Sequence, residues 1–192
     1  MVSKTQRWSA ITIAAAISMN VGADVATGVD SEAQLPFWQW STQGVKIRLI
    51  QRSPNQTRAF FIGRGFSNEA ADAIGTGCVF QTIFRNDGEH AIDYDLSEWW
   101  IQHKGKSLVI PSKEQWDKKW QTLNLSNSSR IAFKWALLPN KQHFEPADYN
   151  WGMTSFGLAP GNHFDLNLVT QIGGKKINGH IPNIECPVDK EK

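Results

Sequence analysis

The chain has 192 residues, with 20 basic and 18 acidic side chains, 41% hydrophobic positions and nine tryptophans. That length fits one ordinary domain with a sizeable core, and the near balance of charge excludes a polybasic nucleic-acid-binding protein. Beyond the N-terminus no stretch approaches the ~20 consecutive apolar residues of a spanning helix, so no membrane span is expected after it.

The N-terminus itself reads as a secretory signal. Lys4 and Arg7 form a positive start, Trp8 to Met19 is mostly apolar, and Val21-Gly22-Ala23 supplies small residues for cleavage. Residues 1–23 are therefore expected to be a signal peptide, with a retained anchor as the alternative, and the protein is expected to be periplasmic or secreted. Loss of Lys4 and Arg7 leaves 18 basic against 18 acidic residues, so the pI of 8.6 carries no information about partners.

Residues 24–36 are small and polar and read as a flexible leader. LPFWQW (35–40) brings the first aromatic weight. VKIRLI (45–50) alternates Val45, Ile47 and Leu49 with Lys46 and Arg48, the period of a strand. After QRSPNQ, TRAFFI (57–62) reads as another strand, and EAADAI (69–74), capped by Ser67 or Asn68, as a short helix ending at Gly75.

GCVFQTIFRNDGEHAIDYDLSEWW (77–100) reads as a hairpin turning at Asn86-Asp87-Gly88, with Phe84 opposite His90 and Cys78 opposite Leu96. WWIQH and SLVIP flank Lys104-Gly105-Lys106 as a second hairpin. Ser112 and Gln115 form a capping box for a helix bearing Trp116 and Trp120 on one face. RIAFKWALLP (130–139) reads as a strand with Phe133 and Trp135 inward, residues 140–162 as a long loop, and HFDLNLVT (163–170) as an amphipathic strand turning at Gly173-Gly174.

These elements sum to an all-β chain. The expected fold is an antiparallel β-sandwich, immunoglobulin-like, with one or two short helices, occupying residues 37–187 and followed by a charged tail, 188–192.

Cys78 and Cys186 are the only cysteines, and in an exported protein two cysteines are expected to form a disulfide. A Cys78–His90 catalytic dyad fails in the expected hairpin, because six or seven residues of ladder separate them by roughly 20 Å. The chain carries no GxSxG, HExxH, GxxxxGK[ST] or SxxK motif. Asp93 and Asp95 share one strand face and supply too few oxygens for calcium.

His143, Met153 and His163 border the long loop, and imidazole with thioether is a copper-compatible set, which makes a periplasmic copper-binding protein or chaperone one alternative function. An unrecognised hydrolase is the other. Trp38 and Trp40, at i and i+2, share a strand face and are candidates for partner binding, as is Trp151 on its expected loop. From Ala33 to Asn68 there are five basic residues and no acid, and among them Arg48 and Arg52 are candidate contacts for an acidic partner. The leading expectation is an exported binding or accessory protein of the bacterial envelope, acting on a protein partner without a cofactor and without catalysis.

Overall fold

The computed structural model of the protein describes residues 22–189, so nearly all of the expected signal peptide and the last three residues of the charged tail lie outside the described residues. The described chain is mostly β, with eleven strands in two antiparallel sheets and four short helices. In chain order these are β1 (Asp24–Val29), β2 (Pro36–Thr42), β3 (Val45–Gln51), α1 (Pro54–Ile62), α2 (Asn68–Gly75), β4 (Val79–Asn86), β5 (Ile92–Asp95), β6 (Trp100–His103), β7 (Lys106–Val109), α3 (Lys113–Thr122), α4 (Asn127–Ala136), β8 (Lys141–Phe144), β9 (Tyr149–Ser155), β10 (His163–Ile172) and β11 (Lys175–Glu185).

The first sheet has the order β1-β2-β3-β4-β9. In the second, β6 and β5 meet β10 at residues 165–167 and 170–172 along one edge, β11 runs along its other edge, and β7 and β8 flank the outside. The hydrophobic alternation seen in sequence explains how the sheets meet. Val45, Ile47 and Leu49 of β3 and Phe80 and Phe84 of β4 turn inward against Phe164, Leu166 and Leu168 of β10, and all are buried in one core. Two-residue turns at Gln43-Gly44, Lys104-Gly105 and Gly173-Gly174 join consecutive strands, with positive φ at both positions of each, as the twist of a tight hairpin requires.

The four helices lie on the outer side of the first sheet and build a second core. Phe61 and Ile74 of α1 and α2, Trp116 and Trp120 of α3, and Phe133 of α4 pack there with Val79 and Met153. Arg130 of α4 makes two hydrogen bonds to the Asp117 carboxylate of α3, at 2.9 and 2.7 Å. That guanidinium holds the Asp117 carboxyl down at about 2, below the usual range.

Several expectations are corrected here. TRAFFI lies in helix α1: Ser53 and Gln56 form a reciprocal capping box, and Pro54 occupies the first turn, where its missing N–H costs nothing. RIAFKWALLP is largely helix α4, started by Ser126, whose hydroxyl accepts from the Ser129 N–H. The helices number four rather than one or two. The leader is not loose, because residues 24–29 pair along their length with β2. The Asp30 carboxylate fixes the following turn, accepting from Glu32 and Ala33 N–H and pairing with Arg48 at 3.2 Å. The long loop contains β8 and β9. Finally, β4 and β5 are not a hairpin: β4 sits between β3 and β9 in one sheet, and β5 between β10 and β8 in the other.

Candidate functional site

Cys78 and Cys186 form a disulfide, with Cα atoms 4.9 Å apart, joining the residue before β4 in the first sheet to the residue after β11 in the second. It consumes both thiols and fits an oxidising, extracytoplasmic compartment, so neither sulfur stands as a free thiolate nucleophile. Among the described residues no helix is long and apolar enough to cross a membrane.

The copper set does not converge. Met153 lies on the outer face of the first sheet, only 3% exposed beneath the helices. His143 lies on the outer face of the second sheet, opposite Asp93, so two sheets separate it from Met153. His163 begins β10, whereas Asp93 pairs with Gln171 eight residues further along that strand. At about 3.3 Å per residue the two histidines stand roughly 26 Å apart. Each has other partners: His163 meets Asn183 at 3.0 Å, and His143 lies between Asp93 at 2.8 Å and Glu145 at 3.2 Å. Hydrogen bonds to Asp93, and secondarily to Glu145, raise the His143 pKa. A carboxylate on each ring nitrogen favours the protonated imidazole of His143 and holds the ring in place.

Trp38 and Trp40 are also corrected. They share a face, as their spacing requires, but that face is the inner one. Trp40 is fully buried beside Gly179 of β11, and Trp38 packs edge-on to Phe80 with ring centroids 6.0 Å apart. A Cβ at position 179 would come within 2.7 Å of the Trp40 ring, so the glycine is what admits the indole.

Trp151 has the opposite fate. It sits on β9 rather than a loop, opposite Ile83, on the outer face of the first sheet, and is 58% exposed. Tyr149, two residues earlier on the same face, is 61% exposed and lies opposite Arg85, whose guanidinium carbon is 5.5 Å from its ring centroid. A parallel bridge between Leu137 and Met153, with the Leu138 N–H donating to the Met153 carbonyl at 3.0 Å, brings the end of α4 alongside this strand. There Trp135, expected inward, is 85% exposed, and Ile131 one turn earlier is exposed as well. Gly152 allows this approach, since a Cβ there would stand 2.4 Å from the Leu138 nitrogen. Trp135 and Tyr149 are exposed aromatics that the sequence reading did not single out. The helical period of α4 places Ile131 and Trp135 on the face away from Phe133, a signal hidden by the coincident alternation of residues 131, 133, 135 and 137.

The basic stretch is mostly neutralised by acids from elsewhere in the chain. Lys46 pairs with Asp87 at 2.9 Å, Arg58 with Asp72 at 2.8 Å and Asp189 at 3.1 Å, and Arg48 with Asp30. Arg48 is further spent in stacking, its guanidinium carbon 3.7 Å from the Phe37 centroid. Arg52 makes no ion pair among the described residues and is partly buried near Phe60.

A cleft of about 250 Å³ opens between β5, α3 and β8, lined by Asp95, Trp99, Val109, Glu114 and Lys141. Its carboxylates are satisfied within the protein, Asp95 by Lys141 at 2.7 Å and Glu114 by Asn140 at 3.2 Å. The chain matches no protein-family model, and a comparison with curated proteins returns no match.

Proposed function

We propose that the protein is a periplasmic binding protein, exported by the signal at residues 1–23, that engages a protein partner of the cell envelope as an accessory or assembly factor. The contact is made through Trp135 of α4 and Tyr149 and Trp151 of β9. One observation carries this reading: in a chain that encloses Trp40, Trp99 and Trp120 completely, these three large aromatics stand open beside one another's elements. Exposed aromatic groups of this kind are the commonest anchors of protein interfaces, because they bury large area at small entropic cost. The proposal includes no catalysis and no cofactor. It also takes the two antiparallel sheets tied by an inter-sheet disulfide as an immunoglobulin-like arrangement, supported by the buried tryptophan against β11.

The test is site-specific crosslinking in the intact envelope. A photoreactive phenylalanine at position 151 is expected to yield one discrete adduct that the same group at position 171, on the opposite outer face, does not. Adding Trp135→Ala should abolish that adduct. Equal adducts from both positions, or none from 151, would contradict the reading.

A further inference from the structure

The side-chain alternation of one strand places Lys46, Arg48, Ile50 and Arg52 in line on the outer face of β3 and its extension. Along this line every cation but the last has an acid: Asp87 for Lys46 and Asp30 for Arg48. Beside the last cation, Arg64 leaves the end of α1 and folds back over Phe60. Its guanidinium carbon is 3.3 Å from the ring centroid, and its Nη1 donates to the Phe60 carbonyl at 2.9 Å. The Arg52 guanidinium carbon is 5.5 Å from the same centroid. The two carbons are therefore no farther apart than the sum of those distances.

Neither arginine has a carboxylate partner among the described residues, and the buried Nε–H of Arg52 has no acceptor there. Two like charges on one aromatic ring, one of them desolvated, are an arrangement that folding alone disfavours. Burial, and secondarily the neighbouring Arg64, push the Arg52 pKa below its usual value. One tetrahedral oxyanion can hydrogen-bond two guanidiniums whose carbons lie up to roughly 8 Å apart, and sharing the Phe60 ring keeps this pair close to or inside that reach.

We propose that Arg52 and Arg64, held against Phe60, form a binding site for a phosphate-type oxyanion, separate from the aromatic face. The group is either a free phosphate or the headgroup of an anionic phospholipid. Arg52 supplies the desolvated, fixed contact and Arg64 the exposed one, whose fork is pre-oriented by its stack on the ring.

The experiment measures thermal unfolding and binding of the exported chain with inorganic phosphate, with chloride at matched ionic strength, and with phosphatidylglycerol or phosphatidylcholine vesicles. Phosphate is expected to raise the midpoint saturably and chloride not to. Arg52→Gln and Arg64→Gln should each weaken the affinity tenfold or more. Without phosphate, Arg52→Gln should unfold at the same temperature or a higher one, because it removes the repulsion. Binding to phosphatidylglycerol vesicles alone, lost in both variants, would support the site and assign its ligand to lipid. An equal effect of chloride, undiminished binding in both variants, or no binding to phosphate or either vesicle would overturn the proposal.

Discussion

Asn86 shows how one side chain replaces an expected turn. At the end of β4 it is fully buried. Its Nδ2 donates to the carbonyls of His90 at 2.9 Å and Phe144 at 3.3 Å, while its Oδ1 accepts from the Gly88 N–H at 3.1 Å. These bonds steer the chain out of the first sheet and into the second, where a hairpin would have kept it. Asn86→Ala would strand two carbonyls and one amide, and is expected to destabilise the fold by about 2–4 kcal/mol, lowering the urea midpoint without changing the slope. A midpoint equal to the parent's would refute that role.

His143 is the residue whose charge should register in solution. Its folded pKa is raised from 6.5, first by the bond to Asp93. The stability it contributes is therefore complete below that unfolded value and is lost as pH rises through the folded one. In Asp93→Asn the imidazole titration followed by NMR is expected to move down toward the unfolded value. The loss of stability as pH rises from about 6.5 through the raised folded value should shrink with it. An unmoved titration would mean that the Asp93 contact does not persist in solution.

Among the elements, those with a single hydrophobic period were legible. Strand β3 with Val45, Ile47 and Leu49, strand β10 with Phe164, Leu166 and Leu168, and helix α3 with its Ser112–Gln115 capping box all form where the sequence places them. Helices α1 and α4 were not, because short apolar runs satisfy both periods and only the caps decide. Ser53-Pro54-Asn55-Gln56 is a helix start, though proline and asparagine also read as a break. Pairing partners were hidden for a different reason: whether β4 joins β5 or β9 depends on long-range contacts such as the Thr82–Thr154 hydroxyl bond at 2.9 Å, which no local pattern encodes.

The binding candidates divide on the same ground. Trp38, Trp40 and Trp151 are alike as residue types, and the side of the sheet each faces separates core from surface. Gly152 tests the junction that exposes this surface. Gly152→Ala drives a methyl into the Leu138 backbone, and should destabilise by about 1–3 kcal/mol or more and loosen α4 from β9. Faster hydrogen exchange in residues 127–138 than in β10 would show it, and uniform protection would count against the assigned contact.

For the whole molecule, the disulfide bridges the two sheets near one end of the sandwich, across a sequence separation of 108 residues. Closing so long a loop contributes about 4.7 kcal/mol on the chain-entropy account. Cys78→Ser with Cys186→Ser is therefore expected to lower stability by about 3–5 kcal/mol by denaturant unfolding, and a loss under about 1 kcal/mol would remove the bridge from the account of stability. In the stapled sandwich the helical layer covers Val79 and Met153 on the first sheet's outer face and leaves Tyr149 and Trp151 open. The central claim is that this open aromatic face binds the envelope partner. Its most direct measurement is the affinity of the partner captured at position 151 for the parent protein and for Trp135→Ala/Trp151→Ala, with both folds verified by thermal unfolding. Each anchor of this kind carries about 2 kcal/mol, so the double variant should bind at least about 100-fold more weakly at an unchanged melting temperature. Equal affinity in a folded double variant would contradict the claim.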